Sequence, residues 1–215
     1  LLDVNVGVAG LDEKKTLPRA VEIVQSLVDA PLVIDTSDAG ALELALKKSD
    51  GKPLINSVNG SEKSLSSVLP LAKRYGAAVI ALTLDDEGIP KTAEKRVEIA
   101  EKIAGRAEKM GIRKQDIIVD CLVMTIATNP ENEKIILDSL KKIKKMGYRT
   151  ILGVSNISHG LPNRPEINSK FLTKSSRAGL DLAIINPKDN IVQENTDIEV
   201  FKAKRISREE YTNLT

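Results

Sequence analysis

"ILGVSNISHGLPNRPEIN", residues 151–168, opens on an apolar run, Ile151, Leu152 and Val154, that stops at Ser155 and Asn156. Apolar residues on both alternating faces suit a parallel strand covered on both sides rather than a half-exposed one. A loop rich in Gly, Pro, Asn and Arg follows, and it holds the chain's single histidine, His159. Six further runs share the pattern: "LLDVNV" (1–6), "PLVID" (31–35), "PLIN" (53–56), "AVIAL" (78–82), "IIVD" (117–120) and "LAIIN" (182–186). Helical patterns lie between them. Residues 16–29 carry Ala20, Val21, Val24 and Val28 on one face, and residues 61–75 open on Ser61 and stop at Gly76. Residues 92–110 and 131–146 do the same before Gly111 and Gly147. Strict alternation of strand and helix implies a parallel sheet.

A closed barrel of this kind needs eight strands, and seven are legible. The chain begins directly on an apolar strand, so the expectation is an α/β TIM (β/α)8 barrel lacking its first strand and helix in this chain. An open doubly wound sheet would carry a Gly-rich first turn, and "GVAGLDEK" (7–14) is too loose a match to one. The barrel is expected to occupy residues 1–190. Residues 191–215 lack the apolar periodicity of a last barrel helix and are expected to form a poorly defined C-terminal helix or tail.

Composition narrows the function classes. Of 215 residues, 41% are hydrophobic and 29% charged, an ordinary balance for a globular chain large enough for one sizeable core. A net charge of +2 with 2% aromatic residues offers neither a basic surface nor a stacking platform for nucleic acid. No apolar run reaches the roughly 18 residues of a membrane span. One cysteine, Cys121, excludes an internal disulfide and suits a cytoplasmic location; with one histidine beside it, no zinc cage of those ligands can be built, and no metal site is expected.

The informative regularity is what ends each strand. Asp3 with Asn5, Asp35, Asn56, Asp120, Ser155 with Asn156, and Asn186 stand at or beside the C-terminal ends, which converge on one face of a barrel. Asp and Asn there also cap the helices that follow, and for any one residue that reading competes evenly. As a ring, carboxylates and amides suit a flat, neutral heterocycle rich in donors and acceptors.

The segments "LDVNVG", "PLVIDTSD", "PLINSVNG", "YGAAVIALTLDDEGIPKTAEKR", "IIVDCLV", "ILGVSNISHGLPNRPEIN" and "AGLDLAIINP" together resemble the pterin-binding barrel of the methyltetrahydrofolate–corrinoid methyltransferases. That family includes the folate module of cobalamin-dependent methionine synthase, and the resemblance runs in consistent order from about residue 1 to 187. It implies a dihydropteroate-synthase-like barrel that binds N5-methyltetrahydrofolate and passes the methyl group to cobalt(I) of a corrinoid. The cobalamin is expected from a partner domain or protein, because no corrinoid-binding Asp-x-His-x-x-Gly is present here. A homodimer is also expected.

By the same resemblance the pterin edge is held by Asp3, Asp35, Asn56 and Asp120, whose oxygens and amide match the ring's amino, N–H and carbonyl groups. Gly153 and Ser155 line the ring, Ile184 packs against it, and Arg164 lies over the pterin or meets the glutamate tail. Asn156 is the expected catalytic residue, its amide aimed at N5 as negative charge builds there. Removing one such donor typically costs about 10²–10³ in rate. His159 reads as a surface group, Cys121 as an inert buried thiol, Asn163 as a turn former, and Thr83 as a further contributor at the active face.

Three alternatives compete. A dihydropteroate-synthase-like enzyme would carry a Ser-x-Arg-Pro-Gly stretch where this chain reads "VGVAGLDEKK" (6–15). A folate-binding module inactive by itself would hold the ring and turn nothing over. A phosphate-handling barrel aldolase lacks its Schiff-base lysine at any strand end and its late Gly-rich loop.

Overall fold

The computed structural model describes residues 1–185 and the backbone of residues 199–202. Eight strands form one sheet in chain order: β1 (Leu2–Asn5), β2 (Leu32–Asp35), β3 (Leu54–Asn59), β4 (Ala78–Leu82), β5 (Ile117–Asp120), β6 (Arg149–Gly153), β7 (Leu182–Ile185) and β8 (Glu199–Lys202). Every adjacent pair is parallel. Among the described residues, six helices alternate with them: α1 (Glu13–Leu27), α2 (Ala39–Leu46), α3 (Glu62–Tyr75), α4 (Ala93–Lys109), α5 (Asn132–Lys145) and α6 (Arg164–Arg177). This is the barrel alternation the sequence implied.

The strand count differs from that reading. β8 lies within the stretch expected to be helix or tail, pairs with β7 from Leu182↔Glu199 to Ile185↔Lys202, and comes within 8 Å of β1 between Cα atoms. The sheet therefore curls until its first and last strands are neighbours. Asn186 and the rest of the 191–215 stretch lie outside the described residues.

Helix ends follow local chemistry. Ser61 Oγ accepts from Ser64 N–H at the start of α3, and Gly76 at φ 63° ends it in the left-handed conformation that glycine adopts without a Cβ clash. α1 starts before residue 16 because Asp12 caps it, accepting from Lys14 N–H. α2 has no counterpart in the sequence reading. It is eight residues long, and its Ala41, Leu42, Ala45 and Leu46 are all buried, so it lacks the polar face that makes a helix legible. α6 begins inside the stretch read as loop, with Pro165 in its first turn, where a missing N–H costs nothing. Asn163 before it takes φ 54°, the turn-forming role expected of it.

Packing divides into two layers. Outward-facing strand residues such as Val4, Ile34, Ile55, Val79, Val119, Leu152 and Ala183 meet the helices in the main core. Inward-facing Val33, Leu54, Ile80, Ile118, Ile151 and Leu182, with Leu1 and Ala78 against them, form a second apolar cluster inside the barrel. Burying each of these aliphatic side chains contributes roughly 1.5–3 kcal/mol. The barrel is thus filled, as this fold requires.

Candidate active site

Strand side chains alternate, so the residue two beyond each inner apolar residue faces inward as well, about 7 Å nearer the C-terminal edge. Counting two from Leu1, Val33, Leu54, Ile80, Ile118, Ile151 and Leu182 gives Asp3, Asp35, Asn56, Leu82, Asp120, Gly153 and Ile184. Six of these seven were candidate site residues, and the fold gathers them into one ring above the apolar plug. Register sets Asp35 beside Asn56, Asp120 beside Leu82 and Gly153 beside Ile184, while Asp3 lies beside Val33 and Asp120 beside Ile151 of the plug, so the ring is staggered rather than level. Asp3 and Asn5 both point inward because they are two apart, while Val4 between them is buried on the helix side.

The first three strands tie their polar ends together. Asn5 Nδ2 donates to Asp35 Oδ2 at 2.8 Å, and Asn5 Oδ1 accepts from Gly7 N–H at 2.8 Å. Burial, then the neighbouring Asp35 charge, push the Asp3 carboxyl up to about 7, with the Asn56 amide offsetting part of the shift. Its Oδ1 is buried without a hydrogen-bond partner. An orphaned carboxyl oxygen aimed into a polar ring is what a ligand donor would satisfy.

Asp120 is held differently. Its Oδ1 accepts from Leu122 N–H at 2.7 Å, and Leu122 takes φ 58°, uncommon for a residue with a bulky side chain. Burial raises Asp120 to about 6, while the Leu122 N–H and the Arg96 guanidinium pull the other way. Thr83 is fully buried, and both its N–H and its Oγ1 bond the Asp120 carbonyl, so it fastens β4 to β5 rather than facing a ligand.

After Gly153, residues 154–158 form a 3-10 turn anchored by buried Val154 and Ile157, with Ser155 half-buried and Asn156 exposed. A Cβ at Gly153 would lie 3.1 Å from Asn156 Nδ2. The amide therefore folds back over the bare backbone of Gly153, above the ring. Arg164, expected over the pterin or at the glutamate tail, is bonded to the turn that follows Gly153. It braces the turn, donating from Nη2 to Ser155 O at 3.0 Å and from Nε to Ser158 Oγ at 3.1 Å. The 122–131 loop is laced to the same turn by Ile126 N–H to Ile157 O and by Thr125 Oγ1 to His159 O. His159 is exposed. Cys121 is buried on the helix side of β5, and burial raises its thiol well above the usual range, leaving it unreactive.

Arg96 was missed by the sequence reading. It is 1% exposed and bonds only backbone oxygens among its recorded partners. The signal was present: Arg96 falls on the buried stripe of Ala93, Ala100, Ile103 and Ala107 on α4, an apolar spacing with one cation in it. Leu82, the seventh member of the ring, was also missed, because its strand ends apolar. A surface depression between α5 and the 126–130 loop, lined by Ile126, Leu137 and Lys141, contains none of the ring residues.

Residues 1–186 match the protein family described as pterin binding enzyme. The chain is 36% identical over 195 residues to a methionine synthase of Mycobacterium leprae, covering 84% of this chain and 16% of that protein. It is 33% identical over 191 residues to a methylcorrinoid:tetrahydrofolate methyltransferase of Eubacterium limosum, covering 86% of this chain and 70% of the relative. Among solved structures, dihydropteroate synthase of Thermus thermophilus superposes with a TM-score of 0.65 at 17% identity, over 99% of this chain and 80% of that one. At that identity the likeness is one of fold alone.

Proposed function

Because the chain belongs to the pterin binding enzyme family, we propose that its inner polar ring holds the pterin of N5-methyltetrahydrofolate and that the methyl group passes to cobalt(I) of a corrinoid carried by another domain or protein. The observation that carries this reading is the Asn156 amide folded over Gly153 at the end of β6, on the same edge of the sheet as the strand-end residues Asp3, Asp35, Asn56 and Asp120. The carboxylates accept from the amino and N–H groups of the aminopyrimidinone edge, and Asn56 serves its carbonyl and ring nitrogen. Ile184 and Leu82 supply apolar contact to the flat face.

In the displacement, the N5–carbon bond breaks, its electron pair stays on N5, and a carbon–cobalt bond forms with the nucleophile's electron pair. The corrinoid, when bound, supplies that nucleophile. Negative charge grows on N5, and the Asn156 N–H stabilises it. Asn cannot surrender a proton, so N5 takes its proton from water or a carboxyl group. Asp3, pushed up to about 7 by burial and the Asp35 charge, is a ring carboxyl that exchanges its proton near neutral pH. No residue of this chain is assigned to hold the corrinoid, since its single histidine lies outside any Asp-x-His-x-x-Gly motif.

The chain spans 16% of the methionine synthase it matches. Adding a corrinoid protein to the chain and following cobalt(I) consumption tests the reading. Folate binding without methyl transfer would leave a binding module inactive by itself, and absence of folate binding would overturn the proposal. The synthase alternative predicts instead a pterin pyrophosphate substrate, for which the 6–15 loop lacks the Arg-containing stretch.

A further inference from the structure

Arg96 carries a buried charge that the proposed chemistry does not use. Its Nη1 donates to Cys121 O at 2.6 Å and to Leu122 O at 2.8 Å, and its Nε donates to Pro90 O at 3.2 Å. A desolvated guanidinium is expensive unless its position is itself useful. The two carbonyls it grips flank Leu122, the residue held at φ 58°. A left-handed non-glycine residue persists only where the surroundings over-determine it. With those carbonyls pinned, the Leu122 N–H turns toward the barrel and meets Asp120 Oδ1 at 2.7 Å. The Pro90 bond fastens the loop between β4 and α4 to the same anchor.

We propose that Arg96 is a positioning residue for the ligand-facing carboxylate of Asp120, fixing its orientation through the 121–122 backbone and supplying the positive charge behind it. The inference rests on the reading that Asp120 accepts from the pterin, and it goes beyond it by naming what holds Asp120 ready. The electrostatic part has few contributors. Arg96 from α4 opposes the effect of burial on Asp120, Cys121 follows it just past the end of β5, and β4 and β6 set uncharged Leu82 and Ile151 beside it in register. Asp3 and Asp35 are on β1 and β2, where they act on each other.

Two variants of the full chain separate geometry from charge. Arg96→Lys keeps a cation but not the planar fork that grips two carbonyls, and Arg96→Met loses both. Folding is checked by circular dichroism, the Asp120 carboxyl is titrated by NMR, and affinity for N5-methyltetrahydrofolate is measured by calorimetry. At pH 8, where Asp120 is ionised, both variants should bind folate about 10-fold or more weakly, the scale of losing well-placed hydrogen bonds to a charged group. Both variants should move the Asp120 titration to higher pH, because both loosen the Leu122 N–H that lowers it, and Arg96→Met should move it further because it also loses the charge. An unchanged Asp120 midpoint in folded Arg96→Met, or wild-type folate affinity in both variants, overturns the proposal. If Arg96→Met does not fold, wild-type affinity in Arg96→Lys at pH 8 overturns it. Wild-type protein that binds no folate would refute the functional reading instead, and the Asp120 titration would still decide the role of Arg96.

Discussion

Gly153→Ala isolates the relation between the strand end and the amide above it. Gly153 sits at φ −77°, ψ 83°, a backbone that alanine accepts, so the added methyl should not strain the chain. At such a site a Gly→Ala change stabilises by about 0.4–1 kcal/mol through the unfolded state. The new Cβ, however, would lie 3.1 Å from Asn156 Nδ2, and ordinary contact begins at 3.4 Å. The amide must retreat by at least about 0.3 Å, the difference between those distances. Catalytic geometry is held to within about 0.5 Å, and a displacement of 1 Å can cost 10²-fold, so a loss near 10-fold in methyl transfer is expected. The assay is single-turnover stopped-flow of cobalt(I) with a corrinoid protein at saturating folate, beside a thermal melt. An unchanged or slightly raised Tm with a rate falling about 10-fold supports the argument. A rate equal to wild type in a variant of unchanged Tm would show that Asn156 is not positioned by the space above Gly153, and the argument would fail.

Asn156→Ala should lower the saturated transfer rate about 10²-fold or more, a larger effect than on folate affinity, because the charge it stabilises is complete only in the transition state; a loss confined to affinity would make it a binding residue. Asp120→Asn should weaken folate binding by roughly 1.5–3 kcal/mol, since an acceptor becomes a mixed group facing the ring's donors, and calorimetry on the folded variant checks it. Asp3→Asn should raise Tm at pH 8 and lose that advantage toward pH 4. The folded carboxyl titrates at about 7 against an unfolded value near 3.8, so the native state binds the extra proton and ionised Asp3 costs stability as pH rises through that window. Three pKa units bound the gain at about 4 kcal/mol; an equal or lower Tm at pH 8 would remove Asp3 from the buried set.

The ring was legible because its chemistry and its spacing coincide. A polar residue two positions after the last inward apolar residue recurs at Asp35, Asn56 and Asp120, and each also ends its run in the sequence. Leu82 occupies the same level with no polar signature, so it passed as core. α3 could be bounded from Ser61 and Gly76, whereas α2 offered no polar face and α6 opens on an Arg-Pro pair that reads as loop. β8 is four residues long, in a stretch without helical periodicity, and only its partnership with β7 defines it. Arg164 was placed near the ligand by the resemblance of its segment. Its hydrogen bonds to the 154–158 turn depend on how α6 leaves that turn, which no local pattern encodes.

The apolar plug of Val33, Leu54, Ile80, Ile118, Ile151 and Leu182 has a consequence for traffic. A blocked far end gives the ring one doorway, at the C-terminal edge of the strands. A reactant seated against the ring and a second one that must meet it there use the same doorway in sequence, the deeper one first. Under the proposed reading, with methyl donor below and methyl acceptor above, binding would be ordered: the acceptor would be blind to an empty barrel in productive terms, and an excess of it would seal the entrance. The signature is substrate inhibition by the acceptor that is relieved by raising the donor, a pattern that a barrel open at both ends would not produce.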